Sequence, residues 1–141
     1  MQKIYLACDH AAFEAKEYVK ELLEGYDVQD LGTNSSESVH YPDFGKKIAH
    51  AVLEDKGSIG IALCGSGIGI SMQVNRYKGI RGALCRSTED AKMSRMHNDS
   101  NILCLGARFN STDEIKEIVK TWLNTEFEGG RHQTRIDMLD N

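Results

Sequence analysis

Apolar runs of four to six residues alternate along this chain with longer stretches whose apolar residues recur at helical spacing. Ile4–Cys8, Val28–Leu31, Ile59–Cys64, Arg81–Cys85 and Ile102–Leu105 read as strands. The first helix is expected over residues 11–24, where Phe13, Tyr18, Val19, Leu22 and Leu23 share a face. A second runs from about Pro42-Asp43 to Gly57, and a third through Met72 and Val74 to Tyr77. Ser87-Thr88-Glu89-Asp90 has the form of a capping box opening a fourth, and Ser111 opens a fifth carrying Ile115, Ile118, Val119, Trp122 and Leu123. The tail from Arg131 to Leu139 reads as one more. Strands and amphipathic helices in strict alternation bury their apolar faces as a parallel sheet with right-handed crossovers and helices on both sides. The expectation is therefore a three-layer α/β/α Rossmann-like parallel sheet of about five strands. With 141 residues, a single proline (Pro42) and no Gly/Ser/Pro-rich tract, residues 1–141 form one domain.

Charge and cysteine usage narrow the partners. Seventeen Lys and Arg against 21 Asp and Glu give a net charge of −4, which argues against general binding to nucleic acid or anionic membrane. No stretch approaches the ~20 apolar residues of a membrane span, and acidic Asp9 follows the first apolar run too soon for a secretory leader. A cytoplasmic location is expected. Cys8, Cys64, Cys85 and Cys104 include no Cys-x-x-Cys pair, so neither a zinc knuckle nor a thioredoxin-type motif is present.

In open parallel sheets ligands bind beyond the carboxyl ends of the strands. Cys8-Asp9-His10, Cys64-Gly65-Ser66, Cys85-Arg86 and Gly106-Ala107-Arg108 all fall there. Cys64 stands out because Gly65, Gly67 and Gly69 follow it within five residues and lead into a helix. Such a loop turns backbone N–H groups inward as an anion cradle and would favour the thiolate. A thiolate beside an anion hole suits proton abstraction or nucleophilic attack. The alternative, that Cys64 is only a small buried strand residue like the other three cysteines, carries about equal weight. A thiol-phosphatase loop is excluded, since the sixth residue after Cys64 is Ile70 and not Arg. A dinucleotide site is a weak reading, because the glycines follow the third strand and not the first.

His97-Asn98 lies just before the fifth strand and is expected to face Asp9 and His10 across the rim. His40 and His50 read as surface residues, while His10, His97 and His132 neighbour other polar groups. Arg131 and Arg135 would share a helix face able to grip a phosphate. Taken alone they read more readily as a solvated face with Glu126, Glu128 and Asp137.

Six segments in order, Cys8-Asp9-His10, Tyr41-Pro42-Asp43, Cys64 to Gly69, Arg95 to Asn101, Gly106-Ala107-Arg108 and Gly129 to Arg135, together resemble the type B ribose-5-phosphate isomerase family. The broader group includes the galactose-6-phosphate isomerase subunits. The resemblance implies an aldose–ketose isomerase of sugar phosphates in the pentose phosphate pathway, needing no metal or organic cofactor. It implies a homodimer or tetramer with shared active sites, the helix at about 131–140 lying at the interface. Cys64 would be the base and His97 would open the sugar ring. Ser66 with the backbone of Gly65, Gly67, Ile68 and Gly69 would form the anion hole. Asp9 and Asn98 would position hydroxyls, and His10, Arg108, Arg131 and Arg135 would hold the phosphate, with Tyr41 of a neighbouring subunit closing the pocket. The preferred substrate pair is ribose 5-phosphate and ribulose 5-phosphate. The alternatives are a six-carbon sugar phosphate (galactose 6-phosphate or allose 6-phosphate) or a sugar-phosphate-binding protein without turnover.

Overall fold

The computed structural model describes residues 2–141. Five strands, β1 (Lys3–Cys8), β2 (Asp27–Asp30), β3 (Ile59–Cys64), β4 (Gly82–Leu84) and β5 (Ile102–Gly106), pair in parallel in the order β2-β1-β3-β5-β4. Six helices accompany them: α1 (Phe13–Leu22), α2 (Tyr41–Glu54), α3 (Ile68–Val74), α4 (Thr88–Asn98), α5 (Thr112–Leu123) and α6 (Arg131–Asp137).

Side chains alternate across the strands and feed two apolar layers. Leu6, Ile61, Leu63, Leu103 and Leu105 face Val19, Ala91, Ile115, Ile118 and Trp122 of α1, α4 and α5. Ala7, Ala62, Ile102 and Cys104 face Ile48, Ala49, Ile70 and Val74 of α2 and α3. Strands buried on both faces read as continuous apolar runs, which is why the sequence marks β3 and β5 so clearly.

Local chemistry sets the element ends. The first helix begins as a 3-10 turn over His10–Ala12, because the Asp9 carboxylate accepts the Ala12 N–H at 3.3 Å. The full capping box forms at Ser111 and Glu114, where each side chain accepts the other residue's N–H. At α4 the Ser87 hydroxyl accepts the Asp90 N–H, but the shorter Asp90 carboxylate accepts from Arg86 N–H instead, so only half of the expected box forms.

One buried ion pair fixes the edge of the sheet next to the first strand end. Lys16 is fully buried, and its ammonium meets Asp30, with Glu17 at 3.4 Å. Asp30 also accepts the Gly32 N–H at 2.8 Å, and Gly32 and Thr33 then bracket Cys8 by backbone hydrogen bonds. Burial pushes the Asp30 carboxyl up, but the hydrogen bonds from Lys16, Lys20 and Gly32 outweigh it and hold the group below the ordinary carboxylate value of 3.8. Its contribution to stability is therefore fully present above that value and is lost as pH falls through the lower folded value. Asp30→Asn is expected to cost about 3 kcal/mol, the low end for a broken buried pair because Glu17 remains. Lys16→Met combined with Asp30→Asn should recover most of that loss. Urea unfolding midpoints at neutral pH check both, and the acid-induced decline should be shallower in the double variant.

Candidate functional site

Five of the residues singled out in the sequence, together with the glycine loop, gather at the carboxyl rim of the sheet. Cys64 ends β3 at the centre, between β1 and β5, and the loop Gly65–Gly67 turns directly into α3. Gly67 has φ +79, the left-handed region, and an added Cβ would sit 2.8 Å from Leu105 C and 2.9 Å from Gly106 N. Only glycine brings the chain around this tightly. The turn aims Gly67 N–H at Cys64 Sγ, 3.1 Å away, and Ile68 N–H at Ser66 Oγ, also 3.1 Å. A backbone donor on sulfur stabilises negative charge there.

The other cysteines have different surroundings. Burial pushes the Cys8 thiol up to about 12 and the Cys85 thiol up to about 11, and raises Cys104 further still. Those three are packing residues. Cys64 is the one with a backbone donor on its sulfur and a loop beside it.

Arg108 lies across the loop. Its backbone N–H donates to Gly65 O at 2.9 Å, and Ala107 N–H donates to Cys64 O at 3.0 Å. The guanidinium passes so close to Gly65 that an added Cβ would stand 2.9 Å from Nη1. Asp9 is buried at the end of β1, and its N–H donates to Leu63 O. His10 follows, with Nδ1 accepting the Val39 N–H at 3.1 Å. One rim thus holds a thiol, a hydroxyl, a carboxylate, an imidazole and a guanidinium around a glycine loop.

Within its own chain, the Tyr41 ring covers Gly69, where an added Cβ would meet ring carbons at 2.7 and 2.8 Å. The cause is the close approach of α2 and α3, which Gly45 and Gly69 permit by lacking side chains. An added Cβ on Gly45 would lie 2.9 Å from Gln73 Cβ. One expectation requires correction, the placement of His97 and Asn98. They do not face His10 across the rim, because α4 leaves the rim at Ser87 and runs back along the sheet for 11 residues, about 16 Å. Its last turn arrives at the opposite edge, where Arg81 Nε donates to the carbonyls of Asn98 and Asp99 just before β4.

A second group of polar residues assembles at that far edge. Glu128 N–H donates to Met96 O at 3.1 Å and pins the tail to the end of α4. This places α6, with Arg131 and Arg135, beside His97. Both arginines are exposed, as are Glu126, Glu128 and Asp137, and neither makes an ion pair among the described residues. His97 stacks on buried His132, with Glu128 beside both. Desolvation, then the neighbouring His97 and Arg131, hold His132 below the ordinary imidazole value. Sequence reading set Glu128 beside Arg131 and Arg135 on one charged face but did not place it against His97 and His132. The only trace is the spacing of four between Glu128 and His132.

A parallel α/β sheet with a strand-end thiol in a glycine loop, and arginines on a separate short helix, fits the class that comparison defines: the chain belongs to the Ribose/Galactose Isomerase family, whose model matches residues 4–139. Among its relatives, ribose-5-phosphate isomerase B of Escherichia coli (strain K12) is 43% identical over 141 residues, 99% of this chain and 95% of that one. The solved structure of Clostridium thermocellum ribose-5-phosphate isomerase B superposes with a TM-score of 0.97 at 46% identity, covering 99% of this chain and 95% of that one. The ribose 5-phosphate isomerase of Thermotoga maritima gives 0.96 at 48% identity, covering 99% and 97%. Among the described residues no helix is long and apolar enough to cross a membrane.

The loop geometry makes a direct prediction. Gly67→Ala combines a left-handed backbone with a collision against β5, and should cost about 2–4 kcal/mol. Gly25→Ala, also at positive φ (+94) but with nothing within 4 Å, should cost about 1–2 kcal/mol. Urea unfolding of the two variants checks the order.

Proposed function

We propose that this chain interconverts ribose 5-phosphate and ribulose 5-phosphate, with Cys64 as the base that moves a proton between C2 and C1. The observation that carries the assignment is the Gly67 N–H donated to Cys64 Sγ at 3.1 Å, inside a glycine loop crossed by Arg108. In the open-chain aldose, the thiolate takes the C2 proton, and the electron pair moves to form an enediolate with negative charge on O1. The loop Gly65–Gly69 and the Ser66 hydroxyl hold that oxygen. The thiol then returns its proton to C1, and the proton on O2 passes to O1 as the C2 carbonyl forms. A carbon acid next to an aldehyde is weak, so base and oxyanion donors must act together.

Ring opening falls to His97, and Asp9 and Asn98 orient the hydroxyls. His10, Arg108, Arg131 and Arg135 take the phosphate dianion. Cys64 and His97 lie at opposite ends of the sheet in one chain, held apart by the roughly 16 Å length of α4. A working site then needs two copies, in a homodimer where the far edge of one meets the rim of the other. The dimer acts in the cytoplasm, a reading supported by four cysteines that are all unpaired.

Cys64→Ala is expected to lower kcat by on the order of 10²–10⁴-fold with substrate binding nearly unchanged. Loss of C2-hydrogen exchange into deuterated water, alongside calorimetric binding of ribose 5-phosphate, checks it. Full turnover in that variant would remove Cys64 from the mechanism. Arg135→Ala should raise KM by about 10–100-fold, the cost of one charged hydrogen-bond donor, while kcat changes little. A phosphate contact is the same in ground and transition state. The family also covers galactose isomerases, so kcat/KM over five- and six-carbon aldose phosphates decides the substrate, with the highest value expected for ribose 5-phosphate.

A further inference from the structure

The cluster at the end of α4 contains more than the isomerisation uses. His97 and His132 stack with ring centroids 4.3 Å apart and planes 16° from parallel. Glu128 faces both, one carboxylate oxygen 3.9 Å from His97 Nε2 and the other 3.8 Å from His132 Nε2. Both separations exceed the roughly 2.7–3.2 Å of an N–H···O hydrogen bond, so the carboxylate holds neither ring that way. One donor atom from each of the three groups lies within 4.8 Å of the others. Two imidazoles and one carboxylate are a donor set suited to zinc.

We propose that His97, Glu128 and His132 form a binding site for zinc or a similar borderline divalent ion, and that the bound ion inhibits the enzyme by capturing His97. The inhibition rests on the ring-opening role given to His97 above, whereas the binding does not.

The geometry says which parts move. Metal–ligand distances of about 2.0–2.2 Å put tetrahedral ligand atoms about 3.3 Å apart, so the donors must close by roughly an ångström. Stacked rings also present their lone pairs side by side, and one ring must turn. His132 is the fixed partner, with its side chain 9% exposed, and its helix follows a tail pinned to α4 through Glu128 N–H. His97, 32% exposed in the last turn of α4, and Glu128, 45% exposed, have room to rotate. Water fills the fourth position. Arg131 and Arg135 on the same short helix oppose a dication, which sets the affinity in the micromolar range and not the nanomolar.

The test is equilibrium dialysis of the full-length protein against zinc chloride without substrate, with isomerase assays at the same zinc concentrations. One zinc per chain is expected, and cobalt in its place should give the strong visible bands of a low-coordinate ion. Glu128→Gln and His132→Asn should each weaken binding at least tenfold, and Cys64→Ala should leave the stoichiometry unchanged. Glu128 is exposed, so its variant keeps the question answerable if His132→Asn folds poorly. Activity should fall as zinc occupies the site, and Glu128→Gln should stay active where the parent is inhibited. No stoichiometric zinc, or zinc lost in Cys64→Ala but kept in both cluster variants, would overturn the site. Binding as expected with activity undiminished would overturn the inhibition and with it the use of His97 in turnover, and the Cys64→Ala exchange experiment would stand independently of that result.

Discussion

A helix that follows a parallel strand must carry the chain back across the sheet before the next strand can begin, and that single constraint distributes the functional groups of this molecule. Whatever closes a strand lies at the carboxyl rim, and whatever closes a helix lies at the opposite edge. Cys64, Asp9, His10 and Arg108 belong to the first set. His97, Asn98 and, through the tail pinned at Met96 O, Arg131 and Arg135 belong to the second. One copy of the fold therefore cannot bring the two sets together, so the proposed mechanism, which uses both, calls for a second copy.

The rim itself is shaped by the absence of side chains. Gly67 passes against the backbone of β5, Gly65 lies under the Arg108 guanidinium, and Gly69 lies under the Tyr41 ring. Each contact would be blocked by a single methyl group, and together they leave a narrow loop whose N–H groups turn toward Cys64 and Ser66. The net charge of −4 says little about this place. Most of the acidic residues are exposed, Asp9 at the rim and Asp30 in its buried pair being exceptions, while the arginines that would meet a phosphate stand at two separate edges.

Much of this was legible in the sequence because it depends on local chemistry. Apolar runs such as Ile59–Cys64 announce central strands, Ser111 announces a helix start, and three glycines after a strand-end cysteine announce a tight turn into a helix. What depends on packing between elements was not legible. The position of Tyr41 follows from how closely α2 and α3 approach, and the position of His97 follows from the direction of α4, not from its nearness in sequence to β5. The meeting of Glu128 with His97 depends on one backbone hydrogen bond from the tail to α4, and no residue pattern reports such a contact in advance.

The central claim is that each active site joins the Cys64 rim of one chain to the His97 edge of another, and subunit mixing tests it most directly. Cys64→Ala and His97→Asn/Arg135→Ala, each inactive alone, are co-expressed and assayed on ribose 5-phosphate. Random pairing makes half the dimers mixed, and each mixed dimer regains one fully intact site of its two, so about a quarter of the parent activity should return. Activity no greater than the sum of the two separate variants would place the whole site within one chain and contradict the account.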